Sequence, residues 1–184
     1  MSNFKFLETE WPQLFSKMKL AEQRVYREPK STATYCRMSI EEGIHKIYEL
    51  EYIPYPFNTD LLNLMSNEEV KSIIPADMQT AMHLVRKSGN NAIHYSDKKY
   101  TKQDAETAIR YTYDFLKWFA KSYSQADIEL PGVFDTTLIP KVGAERAEKK
   151  KLIDEFESER KALLAQLEEL KAEREIEVDK AQES

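Results

Sequence analysis

Cysteine occurs once in this 184-residue chain, glycine four times and proline seven times, and each scarcity excludes something. A lone Cys36 rules out an internal disulfide framework and any Cys-rich zinc site. So few glycines and prolines argue against a turn-rich β fold and favour long helices. No stretch approaches the roughly 20 apolar residues of a membrane span, and the opening Met-Ser-Asn-Phe-Lys-Phe lacks the apolar run of a secretion signal. A reducing cytoplasm is therefore the expected compartment, with no membrane partner. No Gly-x-x-x-x-Gly-Lys-Ser/Thr loop is present to cradle phosphates, which excludes a P-loop ATPase, and no Gly-x-Ser-x-Gly elbow occurs. His45 and His83 fall on different predicted helices without a converging carboxylate motif, so no metal site and no cofactor are expected.

What the chain does hold is apolar and charged residues, 41% and 32% of the total. That balance suits an all-α helical bundle with a real core, followed by a charged appendage. Net charge is −5, so no global field draws nucleic acid to the molecule. From Ala144 onward nine Lys/Arg face thirteen Asp/Glu, whereas Met1–Gly143 is nearly neutral, with eighteen against nineteen.

Three regions follow from composition: a helical bundle over 1–125, a linker over 126–143 and a charged helix or coiled coil over 144–184. In the first, a helix begins near Trp11-Pro12 and places Leu14, Phe15, Met18 and Val25 on one stripe that also carries Glu22. A second helix follows Pro29, with Ser31 or Thr32 as its cap and Ala33, Cys36, Ile40, Ile44 and Ile47 on its apolar side. Arg37 and Glu41 lie four residues apart on a neighbouring face and can pair. Two prolines force Tyr52–Phe57 into an extended connection. Short helical pieces over Thr59–Met65 and Asn67–Ile73 precede a longer helix from Pro75, and Thr101–Tyr123 carries the broadest apolar surface. The Pro/Gly-bearing stretch Asp127–Gly143 is expected to be a linker, extended around Val133–Ile139. Beyond it, a heptad register sets Ile153, Arg160, Leu167, Arg174 and Ala181 at a, with Phe156, Leu163, Leu170 and Glu177 at d, a seam strong only in its middle, so that a lone amphipathic helix competes with a coiled coil.

The densest concentration of chemistry lies between Leu84 and His94. Arg86, Asn90, Asn91 and His94 bring a permanent cation, two amides and an imidazole into one short span, with Gly89 expected to bend or restart the helix. An imidazole near neutrality can act as general acid or base, and a guanidinium can hold phosphate or developing negative charge. The same groups can equally serve backbone carbonyls where two helices meet. With Arg37 and Glu41 they form the candidate polar junction; Arg86 and His94 are the candidate catalytic pair.

Several of these residues carry a resemblance. Ala21-Glu22, Tyr26, Pro29, Arg37, Glu41, Ile44 and Tyr48, then Leu84-Val85-Arg86, Gly89-Asn90, Ala92 and His94, are followed by Asp104-Ala105, Phe115, Trp118 and Tyr123. Over about Phe4–Ser124 the pattern resembles the N-terminal helical domain of type I restriction enzyme R subunits and related DEAD/DEAH-box helicases. The stretch from Ile139 through Ala144 is similar to the connector toward their nuclease and helicase parts. The resemblance implies a HEPN-like bundle at the front of a longer polypeptide. ATP and magnesium would then belong to later domains, and the partners would be the other restriction-modification subunits, DNA through the parent enzyme, and a second copy of the chain.

Active HEPN members carry an arginine, usually followed by a polar residue, and a histidine shortly after it. Here seven residues separate Arg86 from His94 and Lys87 follows the arginine, a departure that fits an assembly or nucleic-acid-engagement module. Two rivals stand beside that reading. One is a metal-independent ribonuclease with His94 as base and Arg86 stabilising the transition state. The other is a structural dimerisation unit driven by the tail.

Overall fold

Proline marks the start of the two helices that organise the bundle. A first-turn proline lacks an N–H that would be unsatisfied there in any case, and its fixed φ suits helix. The computed structural model, which describes residues 1–93, 100–141 and 143–182, begins α1 (Pro12–Arg24) and α2 (Pro29–Leu50) at these prolines. Five further helices follow: α3 (Leu61–Ser66), α4 (Glu68–Ile73), α5 (Ala76–Ile93), α6 (Lys102–Tyr123) and α7 (Ala144–Gln182). Strands are absent among the described residues, so the fold is all-α. The chain divides into two compact units, Met1–Lys141 and Val142–Ser184.

In the first unit α2 is the central rod, packed against α1, α5 and α6. Its apolar side, Ala33, Cys36, Ile40, Ile44 and Ile47, is fully buried. Gly43 lets α6 come close: a Cβ there would lie 2.7 Å from Phe115 Cε1. α6 opens with a capping box in which the Thr101 hydroxyl accepts the Asp104 N–H and the Asp104 carboxylate accepts the Thr101 N–H. Asp60 and Asn67 cap α3 and α4 with one-way bonds, their side chains accepting backbone N–H groups of the first turn, each worth about 1 kcal/mol.

Three expectations are corrected. Ser31 and Thr32 do not cap α2; the helix already starts at Pro29, and the Thr32 hydroxyl instead donates to the Ala21 carbonyl at 3.0 Å, tying α2 to α1. Gly89 neither bends nor restarts α5, which runs unbroken to Ile93. The stretch expected as an extended linker contains a 3-10 turn, Thr136–Leu138, and its residues through Lys141 belong to the first unit.

That stretch is held by apolar and polar anchors together. Phe134 and Ile139 are buried, and the Phe134 ring meets Tyr113 and Phe4 edge-on at 5.4 and 6.3 Å. Asn3 donates from its backbone and side chain to Glu22 Oε1 at 3.0 and 2.7 Å, and its amide exchanges two further bonds with the Asp135 backbone. Glu22, the polar member of the α1 stripe, is thus buried with its bonds made, as a buried carboxylate must be.

The second unit is the single helix α7. No proline or glycine interrupts it, and Ile153, Phe156, Leu163, Leu164, Leu167 and Leu170 are all exposed along it. No helix among the described residues is long and apolar enough to cross a membrane.

Candidate nucleic-acid interface

The α2–α5 seam is where the sequence concentrates polar residues, and helix periodicity sorts them. Met82, Val85, Gly89 and Ala92 recur at three- and four-residue steps and are buried as the core edge of α5. Arg86 and Asn90, one turn apart, flank that edge and are half-buried, while Asn91 faces away and is exposed. Gly89 permits the close approach of the two helices. A Cβ at this position would stand 2.5 Å from Arg37 Cβ and 3.1 Å from the Ala33 carbonyl oxygen. The α5 backbone therefore lies directly on the Arg37 stem.

Arg37 pairs with Glu41 one turn along α2, with Nη1 3.2 Å from Oε2, as the spacing predicts. Its Nε is nevertheless buried without a hydrogen-bond partner, and so is the Nε of Arg86. No hydrogen bond joins Arg86, Asn90 or Asn91 to Arg37 or Glu41 among the described residues. His94 lies outside the described residues. The junction thus brings Arg37 and Glu41 together beside Gly89, places Arg86 and Asn90 on one flank of α5, and turns Asn91 outward.

His83, which the sequence pattern leaves without a role, belongs to a second polar group on α5. It stands one turn before Arg86 and Lys87, at the three- and four-residue steps that share a helix face. Lys71, at the end of α4, completes the group. Its backbone carbonyl accepts from Gln79 of α5 at 2.8 Å, and its ammonium pairs with Glu68 at 2.8 Å. Burial first, then the charges of Arg86, Lys87 and Lys71, hold the His83 imidazole below its usual 6.5. Three cations thus disfavour the protonated ring, and among the described residues only Lys71 of the three has a carboxylate in an ion pair. The spacing His83-x-x-Arg86-Lys87 was the available signal.

Cys36 is fully buried with its thiol pushed up to about 12, which makes it a core residue and a poor nucleophile. His45 shares a 3.1 Å contact with the Tyr55 hydroxyl. Among the described residues no three His, Cys, Asp or Glu side chains gather as a metal would require. A groove of about 600 Å³ opens between the N-terminal segment and the 127–138 stretch, lined by Asn3, Phe6, Asp127, Val133 and Leu138. A smaller hollow of about 200 Å³ lies between α5 and α6 beside Ser88 and Tyr111. Neither includes Arg86 or Asn90. Neither hollow encloses the cationic group, and Lys87 is exposed beside half-buried Arg86, an arrangement that suits an extended polyanion better than an enclosed small molecule.

No protein-family model, curated protein or solved structure shows a significant match to this chain.

Proposed function

We propose that this chain is the N-terminal assembly and nucleic-acid-engagement module of a type I restriction-type, ATP-dependent DNA enzyme, in which the α4–α5 surface holds nucleic-acid phosphates. The observation that carries the reading is that Arg86 and Lys87 stand one turn from His83 on α5, with Lys71 tied to the same helix through Gln79, on a chain whose net charge is −5. Like charges collected against an overall negative balance carry a standing repulsion, and a bound polyanion relieves it. The resemblance of the Leu84–His94 pattern to R-subunit N-terminal domains supplies the enzyme class. ATP turnover, DNA translocation and contacts with restriction-modification subunits belong to that class and to its other domains.

The test is a titration of the full chain into fluorescein-labelled duplex DNA, followed by anisotropy over a range of salt. Two or three neutralised phosphates give a slope of log K against log salt of roughly −2 to −3. Arg86→Glu with Lys87→Glu should abolish binding, while Lys121→Glu, on the exposed side of α6, should leave it unchanged. Equal affinity for all three proteins contradicts the proposal. Cleavage of a labelled RNA that disappears in His94→Ala would transfer the chain to the ribonuclease reading.

A further inference from the structure

α7 carries a run of exposed large apolar side chains along one helix. Ile153 and Phe156, then Leu163, Leu167 and Leu170, occupy successive a and d places of one register, and each is about half exposed or more. An isolated helix gains nothing from aligning such side chains in water; the alignment has value when a second helix covers them.

Charge along the same helix selects the occupant and its direction. Between Arg146 and Lys151 the sequence holds four cations and one carboxylate; between Glu168 and Lys180 it holds six carboxylates and three cations. Two copies laid parallel would set basic end against basic end and acidic end against acidic end. Laid antiparallel, each basic end faces the other copy's acidic end. The a and d places admit a register that does this while keeping the seam closed. Ile153 meets Leu170 of the second copy, Phe156 meets its Leu167, and Arg160 lies against its Leu163, the long stem covering apolar surface. We infer that α7 pairs with α7 of a second copy as an antiparallel coiled coil centred between Lys161 and Ala162, an interface independent of the proposed nucleic-acid surface.

Two spin-labelled versions of the full chain test orientation and association together, because the native Cys36 is buried and stays unlabelled. With Lys161→Cys the two labels sit at the same level. With Lys151→Cys they stand about 32 Å apart along the axis at 1.5 Å per residue. Pulsed dipolar spectroscopy should therefore give a short distance for the first and a much longer one for the second. Equal short distances mean a parallel pair and overturn the proposal, as does a monomer by light scattering at tens of micromolar. Phe156→Lys with Leu163→Lys should yield a monomer, with the helical circular dichroism of Met1–Lys141 and its unfolding transition retained. A dimer surviving in that variant also overturns it.

Discussion

Gly89 rests so closely on Arg37 that a single methyl group on the glycine would reach to 2.5 Å from the arginine Cβ. The contact involves the rigid root of the side chain, and the Ala33 carbonyl stands behind it at 3.1 Å. Gly89→Ala must therefore push α5 off α2. Alanine favours helix by about 1 kcal/mol over glycine, yet overpacking of this kind costs about 1–3 kcal/mol. A net loss of stability in urea unfolding is expected; a more stable variant would show that the seam is looser than this contact implies.

Asn3 is the peg that holds the 126–141 stretch to α1. Asn3→Ala removes a donor from the buried Glu22 carboxylate and both side-chain bonds to the Asp135 backbone, at a cost of about 1–3 kcal/mol. Asp135→Ala leaves those backbone bonds intact and loses only the cap on Thr137, worth about 1 kcal/mol. Thermal unfolding of the two variants should rank them in that order.

Glu10 supplies an acid-sensitive clasp. Its carboxylate accepts from the Ser124 hydroxyl and from the Gln125 and Ala126 N–H groups, and these bonds lower its pKa from 4.5. A depressed folded-state value means that the stabilisation is present above the ordinary carboxylate range and is lost as pH falls through the folded value. The melting-temperature gap between the native chain and Glu10→Gln should be widest near neutrality and close below pH 4.5. A gap constant with pH would contradict the assignment.

Tyr52 is held at φ +57° although its side chain is 91% exposed. The left-handed conformation costs a non-glycine residue about 1–2 kcal/mol, and no packing of this ring offsets it. Tyr52→Gly should raise stability by up to about 1 kcal/mol, the glycine's greater unfolded-state entropy offsetting part of the gain. A calorimetric melting temperature equal to or below that of the native chain would show that the exposed ring contributes to folding.

Much of the bundle was legible because its signals are local. Pro12 and Pro29 announce helix starts, Arg37 and Glu41 announce a pair by their spacing, and the Ala33–Ile47 stripe names its own buried side. Gly89 misled because glycine usually punctuates a helix, and only the neighbouring rod reveals that it is there for close approach. The 126–141 stretch misled for the opposite reason: its anchors, Asn3 and Tyr113, are distant in sequence, and its prolines and glycines carry no trace of them. The junction was half legible. Arg86 and Asn90 share a flank as their spacing requires, whereas the tie between Lys71 and α5 runs through the Gln79 side chain, which no spacing announces.

The most direct test of the nucleic-acid reading is the titration of the His83 imidazole by NMR, free and with saturating duplex DNA. In the free chain, burial and the neighbouring cations place its midpoint below 6.5. Phosphates laid on Arg86 and Lys87 would cancel that repulsion and favour the protonated ring, so the midpoint should rise on binding. An unchanged midpoint under conditions where DNA is bound would place the nucleic acid elsewhere and contradict the proposed surface.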